Sequence, residues 1–135
     1  MVRVLLVEDS ASTRSFIRAI LEGVREGALA GCTVQEATSG FDAMRLLPRG
    51  PYDLVLTDIN MPDINGLEVI QFVRKSPHHK DTPLVIISTQ TSERDIARAL
   101  ALGATAYLRK PFVPEELVAT LERVLAPKGG AAPHG

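Results

Sequence analysis

Hydrophobic and polar positions alternate along this chain in blocks. Short apolar runs are followed by segments in which apolar residues recur every three or four positions. "VRVLLV" (Val2 to Val7), "LVLTD" (Leu54 to Asp58) and "LVIIS" (Leu84 to Ser88) have the length and Val/Leu/Ile content of strands buried on both sides. "CTVQEA" around Val34 and "ATAYL" (Ala104 to Leu108) complete a set of five. Helix patterns lie between and after them. Ile17, Ile20, Leu21 and Val24 follow the i, i+3, i+4, i+7 spacing of a helix face, and "GFDAMRLL" predicts a short helix stopped by Pro48, Gly50 and Pro51. Gly66 to Lys75 turns Val69, Ile70 and Val73 inward. Ser92 opens "SERDIARALALG", which Gly103 can end in the left-handed conformation. Pro114 to Leu125 places Leu117, Leu121, Val124 and Leu125 on one side. This alternation predicts an α/β fold: an open, five-stranded parallel sheet with helices on both faces.

Composition narrows the picture only a little. The 135 residues fit one domain, residues 1–126, followed by a tail, 127–135, that has neither period nor bulk. The tail reads as a flexible end or the root of a linker. Apolar residues at 45% and charged residues at 23% are an ordinary globular balance. Fifteen basic against sixteen acidic side chains leave a net charge of −1, so no basic field exists to hold nucleic acid or an anionic membrane. The apolar runs are too short to span a bilayer, and "MVRVLLVED" lacks the parts of a signal peptide. A single cysteine, Cys32, excludes an internal disulfide and suits a reducing compartment. The expected location is the cytoplasm, without membrane insertion.

The polar residues at the strand ends change the picture most. In open parallel sheets, ligands bind beyond the carboxyl ends of the strands. The first strand ends in Glu8-Asp9, the third in Asp58 and the fourth in Ser88-Thr89, while Lys110-Pro111 follows the fifth. Three carboxylates, a hydroxyl and an ammonium would thus gather at one edge. Clustered carboxylates repel, and a hard divalent cation such as Mg²⁺ relieves that repulsion while joining carboxylates to a phosphate group. With Lys110 as a positive point charge, the set suits phosphoryl transfer.

The motifs "LLVEDS", "LVLTDINMPDINGLEV", "LVIISTQ" and "ATAYLRKPF", in this order and spacing, make the chain similar to response-regulator receiver domains of the single-domain, CheY-like type. The likeness covers Val2 to about Leu125. It implies a flavodoxin-like strand order 2-1-3-4-5, and a phosphorylation-dependent signalling switch rather than an enzyme with a released product. Asp58 matches the phosphoacceptor, which takes its phosphoryl group from a phosphohistidine on a kinase. Asp9 matches a direct Mg²⁺ ligand, Glu8 its neighbour acting through water, and Asn60 the position offering a backbone carbonyl to the metal. Ser88 matches the switch hydroxyl, Lys110 the lysine that contacts the phosphoryl group, and Pro111 the proline after a cis peptide bond. Tyr107 matches the aromatic switch, its ring exposed at rest and turned inward after Ser88 moves. The output face would be the last two helices and the strand between them, about Glu93 to Arg123. Implied partners are a histidine kinase and a downstream target protein, with the chain a monomer or weak dimer.

Three positions depart from the family pattern. Glu8 is one methylene longer than the usual aspartate. Thr89 replaces a smaller residue, with bulk that would narrow phosphoryl access or hold Tyr107 out. "EGVREGALAGC" lengthens the first connection. Asn60 and Gln90 fall where the family sets the lifetime of the phosphorylated state. Other readings are weaker. A Mg²⁺-dependent phosphatase with an aspartate nucleophile wants an acid two residues on, where Asn60 stands, and a flavin carrier wants aromatics at the strand-end loops. His78-His79 lacks further ligands at metal spacing, and "SPHHKD" reads as a polar surface loop.

Overall fold

The apolar runs form the sheet that the pattern predicts. The computed structural model describes residues 1–89 and 93–126, in which ten elements alternate. The strands are β1 (Arg3–Val7), β2 (Thr33–Ala37), β3 (Leu54–Asp58), β4 (Leu84–Ser88) and β5 (Ala106–Arg109). The helices are α1 (Ala11–Glu22), α2 (Gly40–Leu46), α3 (Gly66–Lys75), α4 (Glu93–Leu102) and α5 (Pro114–Leu125), and a 3₁₀ turn (Leu47–Arg49) extends α2. All pairings are parallel, in the order β2-β1-β3-β4-β5. The expected opening of α4 at Ser92, the position of Gln90 and the tail 127–135 lie outside the described residues.

Because side chains alternate along a strand, each strand feeds both layers. Val4, Leu6, Leu54, Leu56, Val85 and Ile87 pack with Ile17 and Leu21 of α1 and Leu117 and Leu121 of α5. Leu5, Val7, Val55, Leu84 and Ile86 pack on the opposite side with Ala43 of α2, Val69, Ile70 and Val73 of α3 and Ala99 of α4. A one-residue slip would exchange the two sets, so the burial on both faces fixes the register. That register places the carboxyl ends of β1, β3, β4 and β5 side by side.

Side-chain caps place the helix starts against this edge. Ser10 accepts from the Thr13 N–H, Ser39 from the Asp42 N–H, and Asn65 and Glu68 form a reciprocal capping box. The long α1–β2 connection is folded back by α5, where the Glu122 carboxylate accepts the N–H groups of Ala28 (2.9 Å) and Leu29 (3.3 Å). Leu29 is thereby fully buried.

Two expectations need correction. β5 starts at Ala106 rather than Ala104, because the Ala104 N–H still bonds the Ala99 carbonyl to finish α4 after Gly103 (φ 121°). His79 is not a surface residue: it is 2% exposed, and its Nε2 accepts the Tyr52 N–H at 3.3 Å. A distant backbone donor and the Tyr52 ring, 6.0 Å away between centroids, hold the imidazole inside.

Candidate phosphoacceptor site

The sheet register brings the sequence-selected polar residues together. Val7 pairs with Thr57, which sets Glu8 beside Asp58; Asp58 pairs with Ile87, and Ser88 pairs with Arg109. Lys110 follows at once, its N–H bonded to the Ser88 carbonyl at 2.9 Å. From this position its ammonium reaches across the rim to Glu8 Oε1 (3.0 Å) and Asp58 Oδ2 (3.2 Å). Residues 102 positions apart in sequence thus form one cluster.

Burial gives these contacts their strength. Glu8 is 2% exposed, Asp58 8% and Ser88 fully buried, whereas Asp9 is exposed. At about 3 Å and an effective dielectric near 20, one such ion pair gains about 5 kcal/mol before the cost of desolvation is subtracted. Burial pushes the Glu8 carboxyl above its ordinary pKa; Lys110 and the Ser10 N–H on Oε2 (3.1 Å) oppose this, and the Asp58 charge adds to it. Burial also works against the Lys110 charge, but Glu8 and Asp58 outweigh it and raise the ammonium's pKa. Lys110 is therefore a fixed cation.

Carboxylate oxygens of Glu8, Asp9 and Asp58 lie within 4.8 Å of one another. Among the described residues this is the one such group of acids, cysteines or histidines, and its donors are all hard oxygens. It could hold a metal ion. Asn60, the further ligand position, donates its N–H to Asp58 Oδ1 at 3.3 Å. The Lys110-Pro111 peptide is cis.

Tyr107, the aromatic switch position of the resemblance, lies on β5. It is half-buried and packs against the core; burial raises its pKa, and the Ser88 side chain opposes the shift. Thr89 is exposed.

Some supporting residues escape a reading of sequence alone. Arg14 of α1 donates to the Glu8 carbonyl (2.9 Å) while bonding Glu36 on β2 (3.0 Å). Gly66 is needed for close approach: a Cβ there would meet the Asp58 carbonyl oxygen and come within 2.8 Å of Ile59 Cα. The signal for Gly66 was its place just after Asn65, at a helix start. Arg14 left none.

This sheet order, with acids from β1 and β3 facing a lysine after β5, defines a CheY-like receiver domain. The family described as "Response regulator receiver domain" matches residues 4–122, and the chain belongs to it. It is similar to the "Chemotaxis protein CheY homolog" of Campylobacter jejuni, 33% identical over 129 residues that cover 95% of each chain. The "Sensor histidine kinase CheAY" of Helicobacter pylori is 31% identical over 128 residues, 93% of this chain and 15% of that protein. Among solved structures, chemotaxis response regulator CheY4 of Vibrio cholerae superposes with a TM-score of 0.84 at 37% identity, over 93% of this chain and 99% of that one.

Proposed function

We propose that this chain is a phosphorylation-dependent switch of a chemotaxis-type two-component pathway, accepting a phosphoryl group from a histidine kinase on Asp58. The observation that carries the reading is the Lys110 ammonium held between Glu8 and Asp58 at the open end of the sheet. An Asp58 oxygen attacks the phosphorus of a phosphohistidine. The O–P bond forms as the N–P bond breaks, and the imidazole leaves with its proton on the other ring nitrogen. Charge spreads over the phosphoryl oxygens during transfer, and a pre-placed ammonium stabilises it without reorganisation. The hard oxygen donors of Glu8, Asp9 and Asp58 fit Mg²⁺; Asp9 and Asp58 would hold it directly, Glu8 through water and Asn60 through its carbonyl, and the ion would supply further neutralisation of the phosphoryl charge.

The output follows from Ser88. Its side chain acts on that of Tyr107, and a phosphoryl group on Asp58 competes for its hydroxyl. Losing this interaction shifts the Tyr107 ring and reshapes the face formed by α4, β5 and α5, where a downstream protein binds. The protein catalyses only its own phosphorylation and dephosphorylation. A histidine kinase donor is supported by the kinase relative, part of which resembles this chain. No described helix is long and apolar enough to cross a membrane, consistent with work in the cytoplasm.

A small acyl-phosphate donor with Mg²⁺ is expected to add one phosphoryl mass to the intact protein, and Asp58→Asn to abolish the addition. Equal incorporation in both proteins would refute the assignment.

A further inference from the structure

The segment joining Asp58 to α3 carries Asn60, and its far end is held from outside. Asp63 sits in this loop, and its two carboxylate oxygens accept the N–H groups of Gly40 (3.2 Å) and Phe41 (2.9 Å) at the start of α2, 23 and 22 residues away in sequence. These bonds, the Phe41 N–H foremost, hold the Asp63 carboxyl down at a pKa of about 2. Gly40 permits the approach, since a Cβ there would lie 2.7 Å from the Ile64 side chain and carbonyl oxygen. The other free donors of α2 are met locally: the Asp42 N–H bonds the Ser39 hydroxyl (3.1 Å) and the Ala43 N–H bonds the Ser39 carbonyl (3.0 Å).

These contacts close a ring around the acids. The Glu8 N–H bonds the Ala37 carbonyl at 3.0 Å, tying the end of β1 to the end of β2. β2 leads through Thr38 and Ser39 into Gly40. Asp63 joins Gly40 to the loop, and the loop returns through Asn60, whose N–H holds Asp58 Oδ1. Among the described residues, the side-chain hydrogen bonds between α2 and this loop are those of Asp63.

We infer that Asp63 is a positioning residue, which fixes the Asn60 segment relative to Asp9 and Asp58 and so sets the affinity of the acidic site for its divalent cation. The inference rests on the proposed phosphoacceptor function. It predicts a consequence for metal binding that a simple helix cap would not have, since residues supporting metal ligands typically alter affinity.

The test is a Mg²⁺ titration followed by the amide NMR signals of residues 58–60, on wild type, Asp63→Ala, Asp63→Asn and Ser39→Ala. Ser39→Ala removes another cap of α2 without touching the loop. The expected result is weaker Mg²⁺ binding in Asp63→Ala by roughly tenfold, a smaller loss in Asp63→Asn, and an unchanged midpoint in Ser39→Ala. Phosphorylation by an acyl phosphate is expected to fall in Asp63→Ala at low Mg²⁺ and to recover at saturating Mg²⁺. Asp63→Asn, which keeps one acceptor oxygen, carries the comparison if Asp63→Ala fails to fold. Wild-type affinity in the Asp63 variants, or an equal loss in Ser39→Ala, would overturn the inference. A wild-type protein that neither binds Mg²⁺ nor becomes phosphorylated would overturn the underlying reading instead, and this inference with it.

Discussion

Glu8 shows how one residue can oppose stability in the interest of a site. Its carboxyl is buried, and its pKa is raised by that burial despite the Lys110 partner. An acid whose folded pKa exceeds its unfolded value binds protons more tightly when folded. Its ionisation therefore costs stability above the folded pKa, and the cost fades as pH falls toward the ordinary carboxyl value of 4.5. Glu8→Gln removes that dependence. Denaturant melts at a series of pH values are expected to show wild type gaining stability relative to Glu8→Gln as pH falls toward 4.5. A relative loss on acidification would mean that the fold favours the charged form. Glu8 was legible as an acid at a strand end; its burial was not, because that depends on Lys110 reaching back from β5.

At the scale of the element, the decisive contact is the start of α3 against the end of β3. Gly66 opens α3 and donates its N–H to the Ile59 carbonyl at 2.8 Å. A methyl group at this position meets backbone rather than a flexible side chain, so the loop must move. Gly66→Ala is expected to lose about 1–3 kcal/mol, in the range of overpacked sites, and to lower phosphoryl labelling of Asp58 as well. Chemical denaturation gives the first quantity and intact mass the second; wild-type values in both would show the approach to be slack. Strands were legible because two-sided burial leaves unbroken apolar runs, as in Leu54–Asp58. The start of β5 was not, since Ala104 and Thr105 belong to the turn that completes α4, and Thr105 accepts the Leu84 N–H through its hydroxyl. His79 and Asp63 were misjudged or passed over for the same reason: their partners, Tyr52 and Gly40, lie more than twenty residues away.

Across the whole molecule, two apolar layers hold a parallel sheet whose open end gathers like charges. The layers stabilise the fold while the acidic rim strains it, and a cation that binds only the folded rim adds stability by mass action, about 2.7 kcal/mol at a hundredfold excess over Kd. Mg²⁺ is accordingly expected to raise the melting temperature of wild type but not of Asp9→Ala, as read by thermal melts with and without the ion. An equal rise in both proteins would place the ion elsewhere. The family and the strand order were readable from four motifs in sequence order, whereas the packing of Tyr107 against the core required the folded structure.

The central claim is that Asp58 itself receives the phosphoryl group. The most direct measurement exposes the protein to an acyl-phosphate donor and Mg²⁺, reduces any acyl phosphate with borohydride and maps the peptides by tandem mass spectrometry. The account predicts homoserine at position 58 and at no other acid. Reduction product at Asp9 or Glu8, or none anywhere after treatment with donor and Mg²⁺, would contradict it.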